Sequence, residues 1–175
     1  MAANWTAFSS GNVLTAAQLN GVVDNFADIA IFNETQSGST QGGTSTAGSF
    51  AKRTLNTTVA NNIGGCSIAS SVVTLATAGT YYLRGSTPAY KSDQLQSRLR
   101  NTTASTTIAT GQTCFAQATT NAMVQSIVEA YITITASTNI ELQMRVAAGF
   151  ANEGLGTSST FDENIYSTLY IARIA

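Results

Sequence analysis

Two periods of apolar residues run along this chain and divide it. Over residues 11–32, GNVLTAAQLNGVVDNFADIAIF, Leu19, Val22, Val23, Phe26 and Ile29 recur at helical spacing, while Asn20, Asp24, Asn25 and Asp28 fall on the other side. Thr15 and Gln18 have the spacing of a capping box, in which hydroxyl and amide satisfy free backbone N–H groups, and Leu14 and Leu19 take the staple positions. The pattern predicts a one-sided helix of roughly four turns. Residues 36–49, QSGSTQGGTSTAGS, have no apolar period and contain four glycines. That composition predicts a flexible tether with an r.m.s. span of about 20 Å.

From Phe50 onward the period is two. In NIELQMRV, Ile140, Leu142, Met144 and Val146 alternate with Asn139, Glu141, Gln143 and Arg145, so this strand has one wet face. SIVEAYITIT places Val128, Ala130, Ile132 and Ile134 toward a core, but its other face carries Ile127 and Tyr131 beside Glu129 and Thr133. In NIYSTLYIARIA, Ile165, Leu169 and Ile171 oppose Tyr166, Tyr170 and Ile174, and neither face suits water. Further strands are predicted in AKRTLN, SIASSVVTL, TYYLRGSTPAY, QLQSRLRN and STTIATGQTCFA, separated by Gly, Asn and Ser turns. About eight strands at short, even spacing predict an all-β sandwich of jelly-roll type. The organisation expected is an anchor over residues 1–35, the tether over 36–49 and a knob over 50–175.

Composition narrows the function. Charged residues make up 10% of the chain against 43% hydrophobic, with a net charge of -1 and no basic run, so the counterion release that drives nucleic-acid binding has no source. No apolar stretch is long enough to cross a bilayer as a helix, and the start of the chain lacks the order of a secretion signal, so no membrane insertion is expected. The sparse charge suits a surface partly covered by neighbours. Cys66 and Cys114 are expected as separate small apolar groups.

The chain has no histidine, which removes the Ser-His-Asp and Cys-His nucleophile arrangements and the commonest nitrogen ligand of transition metals. Asp162 and Glu163 are the one adjacent acidic pair beyond the tether, but neighbours on a strand point to opposite faces, and a solvated loop explains them better than glycoside hydrolysis. GGTSTAGS lacks the Lys-Ser/Thr ending of a phosphate loop. Neither an enzymatic activity nor a cofactor or metal is expected.

AGTYYL, then VEAYITIT, NIELQMRV and an aromatic last strand resemble, in order and character, the trimeric jelly-roll heads of the tumour necrosis factor and complement superfamily, with Gly79, Tyr81 and Leu83 as the Gly-x-Tyr-x-apolar signature. Thr168 stands where the family usually has a glycine. NWTAFSSGNVLTAAQLN resembles the opening segment of tailed-bacteriophage virion proteins, in which such a stretch precedes a fibre or knob. The first resemblance implies a homotrimer whose axis-facing residues are Tyr82, Arg84, Ile127, Glu129, Tyr131, Tyr166 and Tyr170. Tyrosine suits such a face, because its ring leaves water while its hydroxyl still finds a partner. The alternatives are tyrosines capping the edge of a monomer, or a register shifted by one residue that exchanges core and interface.

A helix with an apolar stripe and no partner helix must cover its own sandwich, bundle with sister chains or dock on a larger assembly. The expectation combines the last two: Trp5, Leu14, Leu19, Val22, Phe26 and Ile29 seat a trimer on other virion proteins of capsid or tail. The resemblance implies a virion surface protein, assembled in the bacterial cytoplasm, as a short head fibre or capsid decoration. The alternative is the receptor-binding tip of a tail fibre, contacting a host glycan or protein.

Overall fold

The computed structural model describes Thr15 and residues 28–174. Its strands are β1 (Ile29–Ser37), β2 (Ala51–Lys52), β3 (Thr57–Asn61), β4 (Cys66–Ala69), β5 (Val72–Leu75), β6 (Gly79–Tyr90), β7 (Asp93–Asn101), β8 (Thr106–Ala116), β9 (Met123–Ile134), β10 (Thr138–Val146) and β11 (Glu163–Arg173). One sheet runs β3-β1-β11-β6-β9 and the other β4-β5-β10-β7-β8, with β2 pairing β10 outside that order. The strand ladders are antiparallel. This is the all-β jelly-roll sandwich that the period of two predicts, and no helix occurs among the described residues.

The core follows from alternation. Ile140, Leu142, Met144 and Val146 of β10 point inward and are all but inaccessible, as are Tyr81 and Leu83 of β6 and Leu169 and Ile171 of β11. Gly85 continues the inward row of β6, and a Cβ there would lie 2.5 Å from Leu142 Cδ1, so the facing leucine occupies the space of a missing side chain. Among the described residues one ion pair lies inside. Arg53 Nη2 meets Glu34 Oε2 at 2.5 Å, and Arg53 Nε donates to the same oxygen and to Ser167 Oγ at 2.8 Å. Arg53 Nη2 also donates to the Leu155 carbonyl, which ties β1, β11 and the loop before β11 together. Burial pushes the Glu34 carboxyl above its usual range, with Arg53 and Ser167 pulling the other way.

The chain departs from the sequence-based organisation in its first third. Ile29, expected in a helix reaching Phe32, opens β1, which lies inside a sheet between β3 and β11. The run Ile29-Ala30-Ile31-Phe32 fits either period when read alone; pairing to β11 selects the strand, burying Ala30 and Phe32. Residues 36–49 are laid along the loop before β11, with backbone bonds from Gly38 to Asp162, Gly42 to Gly156, Gly43 to Asn152 and Ser45 to Phe150. The glycines serve close approach here, since a Cβ on Gly38 would lie 2.0 Å from the Phe161 carbonyl oxygen. AKRTLN forms only the two residues of β2 before Arg53 turns into the core, and Ile165, expected inside, is exposed.

The registers give the sandwich two ends. Ile29 pairs with Ala172 and Gly79 with Ile134 at one end, where the chain enters at Asp28 and the Arg173 N–H bonds the Asp28 carbonyl. This base also carries the turns at 76–78, 102–105 and 135–137. Ser37 pairs with Glu163 and Tyr90 with Met123 at the other end. That tip carries residues 38–49 and the loops 91–92, 117–122 and 147–162.

Candidate functional site

The outer face of the β3-β1-β11-β6-β9 sheet gathers most of the residues singled out in the sequence. Cross-strand pairing arranges them in rows. Ile29, Ala172, Tyr82 and Tyr131 form one; Ala60, Ile31, Tyr170, Arg84 and Glu129 the next; Asn33, Thr168, Ser86 and Ile127 the third. Side chains along a row share a face because every second residue of each strand projects the same way.

At the centre is a tyrosine cluster. The Tyr82 ring lies 5.2 Å from that of Tyr131, tilted by 47°, and 6.3 Å from that of Tyr170, edge-on. Tyr131 is 71% exposed, a large ring left to solvent on the edge strand β9. Arg84 Nε donates to Glu129 Oε1 at 3.0 Å, and the Tyr82 hydroxyl donates to the same oxygen at 2.9 Å. Desolvation and this bond to Glu129 hold the Tyr82 phenol above its usual range. Within the cluster one acid and one base neutralise each other. Arg84, Ser86, Gln125, Thr168 and Tyr170 line a depression of about 200 Å³ beside the cluster. Thr168, in the position where the resembled family has glycine, forms part of its wall.

Six of the seven expected interface residues, Tyr82, Arg84, Ile127, Glu129, Tyr131 and Tyr170, therefore lie on one outer face. Tyr166 does not join them. It is buried, its hydroxyl donates to the Thr40 carbonyl, and its ring packs so closely on Gly156 that a Cβ there would lie 2.3 Å from the ring. The reason is a one-residue register shift in the β1–β11 ladder between the Asn33–Thr168 and Thr35–Ile165 pairs, which turns Ile165 outward and Tyr166 inward, where residues 36–49 cover it. Ile31 and Ala60 share the face and escape a sequence reading that assigns Ile31 to a helix. Ile29, expected in the docking helix, belongs to this face too. Trp5, Leu14, Leu19, Val22 and Phe26 lie outside the described residues.

Elsewhere, Cys66 and Cys114 are free thiols, and burial pushes Cys66 up to about 11, so it acts as a small apolar filler. Asp162 and Glu163 are exposed at the start of β11. What the tyrosine face offers is contact area with a few fixed hydrogen-bonding groups.

No protein-family model and no curated protein matches the chain. Among solved structures the fold is similar to the globular domain of zebrafish complement 1qA protein, at 13% identity over 85% of this chain and 98% of that one, with a TM-score of 0.56. It is similar to murine APRIL, at 9% identity over 82% and 97% of the two chains and a TM-score of 0.56. PRD1 vertex protein P5 is similar as well, at 13% identity over 85% and 98%, with a TM-score of 0.54. At these identities the likeness establishes the jelly-roll fold.

Proposed function

We propose that this chain is a phage virion structural protein, a short head fibre or capsid-decoration knob. Three copies bury the tyrosine face around a common axis, and the segment before Asp28 docks them on other virion proteins. The observation that carries this reading is the exposed Tyr131 against Tyr82, which also meets Tyr170, around an Arg84–Glu129 pair whose charges cancel. Such a face gains by leaving water, and closed symmetry is the usual way for one surface patch to be covered by copies of its own chain. The shared fold with PRD1 vertex protein P5 supports a place on a virion, and entry of the chain at the base leaves the tip directed outward. Light scattering on the purified protein is expected to give three times the chain mass of 18.2 kDa. A monomer at micromolar concentration overturns the proposal.

A second reading, the receptor-binding tip of a tail fibre, is favoured by the exposed Phe115, Met123 and Phe161, all at the tip or its margin. Labelled knob separates the two. Saturable adsorption to host cells supports the adhesin, and its absence supports decoration.

A further inference from the structure

The opposite outer face, on the β4-β5-β10-β7-β8 sheet, has a different chemistry. Lys52, Arg98, Arg100 and Arg145 project from it, half of the chain's eight Lys and Arg residues. Its one acid among the strand positions is Glu141, already engaged by Lys52 at 3.8 Å and by Gln143 Nε2 at 2.6 Å. Among the described residues none of the three arginines makes an ion pair, and Glu141, across from Arg100, is the one carboxylate that acts on Arg98. Partial burial, then the neighbouring charges of Arg100 and Arg145, hold Arg98 below its usual range.

These guanidiniums are held in place. Arg98 Cζ lies 3.9 Å from the centre of the Phe50 ring, and Arg145 Cζ lies 4.9 Å from the same ring. Arg98 Nε donates to Gln143 Oε1 at 2.7 Å. Arg145 Nη2 donates to Gln96 Oε1 at 3.1 Å, and Gln96 Nε2 donates to Thr113 Oγ1 at 3.2 Å. A guanidinium stacked on a ring keeps an N–H edge for an anion, and its fixed pose lowers the entropy lost on binding. Beside Arg145 is a depression of about 340 Å³ lined by Gly48, Gln94, Gln96, Thr113 and Ala147. Its wall mixes the Gln94 and Gln96 amides and the Thr113 hydroxyl with backbone and the apolar Leu95, Val146 and Ala147.

We infer that this trough binds an acidic saccharide: Arg145, with Arg98 behind it, takes the sugar carboxylate, and Gln94, Gln96 and Thr113 take ring hydroxyls. An acidic peptide is the competing occupant and fits less well, because it brings no row of hydroxyls to Gln94, Gln96 and Thr113. The inference goes beyond the structural role proposed above and does not depend on the trimer, since the residues belong to one chain and lie on the sheet away from the tyrosines.

The test is calorimetric titration of the full chain with trigalacturonate, its methyl ester, tri-glutamate and inorganic phosphate. Trigalacturonate is expected to bind saturably, more weakly as salt rises, and the other three at least about tenfold more weakly. Arg145→Gln is expected to weaken binding about tenfold or more, and Arg145→Lys by less, because charge remains while the planar fork is lost. Lys91→Gln, at the tip, is expected to leave binding unchanged. Arg145 is exposed, so its variants should fold, which circular dichroism verifies; if Arg98→Gln does not, the Arg145 pair still decides. Equal binding of the methyl ester, of tri-glutamate or of phosphate overturns the inference. So does a normal titration by Arg145→Gln, or no heat with trigalacturonate.

Discussion

The two outer faces of this sandwich arise from one rule, the alternation of side chains along paired strands, yet they present opposite chemistry. On the β3-β1-β11-β6-β9 face, Tyr82, Tyr131 and Tyr170 surround a single Arg84–Glu129 pair whose charges cancel. On the β4-β5-β10-β7-β8 face, Arg98 and Arg145 stack on Phe50 with amides around them and no free acid. Removing the first face from water releases aromatic area and strands no charge. Removing the second would strand three guanidiniums, at a desolvation cost that few contacts offset. The difference teaches that burial inside a sheet sandwich says nothing about the outer faces, whose uses are set by residues the core does not constrain.

A change beneath both faces should have the largest effect. Arg53→Ala leaves Glu34 buried without its partner, and the expected loss is about 3–5 kcal/mol, measured as a lower midpoint in chemical denaturation. Next is a charge on each face in turn. Tyr131→Glu places an acid in the tyrosine cluster and is expected to lower the mass in light scattering to that of one chain with unchanged circular dichroism, whereas Arg145→Glu leaves the mass as it was. If Arg145→Glu dissociates the assembly and Tyr131→Glu does not, the roles assigned to the two faces are reversed.

Alkali should separate the faces more gently. Burial or desolvation raises the phenols of Tyr81, Tyr82 and Tyr166 on β6 and β11 above the ordinary 10.0. A group that ionises less readily in the folded chain contributes stability below its unfolded pKa and loses it as pH rises through the folded value. Thermal stability should therefore hold up to about pH 9 and fall above 10, with trimer mass lost in the same window. The smallest effect is expected at the surface pair. Glu129→Gln should change the stability of the single chain by less than about 1 kcal/mol, because Arg84 and Glu129 are about half exposed, and a double-mutant cycle with Arg84→Gln measures the coupling.

Much of this was legible before any coordinates. The inward row of β10, both faces of β9 and the outward Tyr82, Tyr131 and Tyr170 are consequences of a period of two, and local alternation carries that information in full. Arg98, Arg145 and Phe50 gave no signal, because their meeting depends on β7 pairing β10 and on where the chain runs after residue 49. A flat count of charges hides such a cluster, since four cations spread over ninety residues of sequence look like scattered solvated groups.

By its own order of residues the chain determined that it would be a two-sheeted β protein with one aromatic outer face and without the histidine-based chemistry of most hydrolases. Tertiary pairing alone decided that Ile29–Ser37 would be a strand, that a glycine-rich segment would pack against the loop before β11, and that Tyr166 would be covered. The physical reason is range. Alternation is settled between neighbours two residues apart, whereas an ambiguous apolar run or a glycine that admits another backbone takes its conformation from partners more than a hundred residues away.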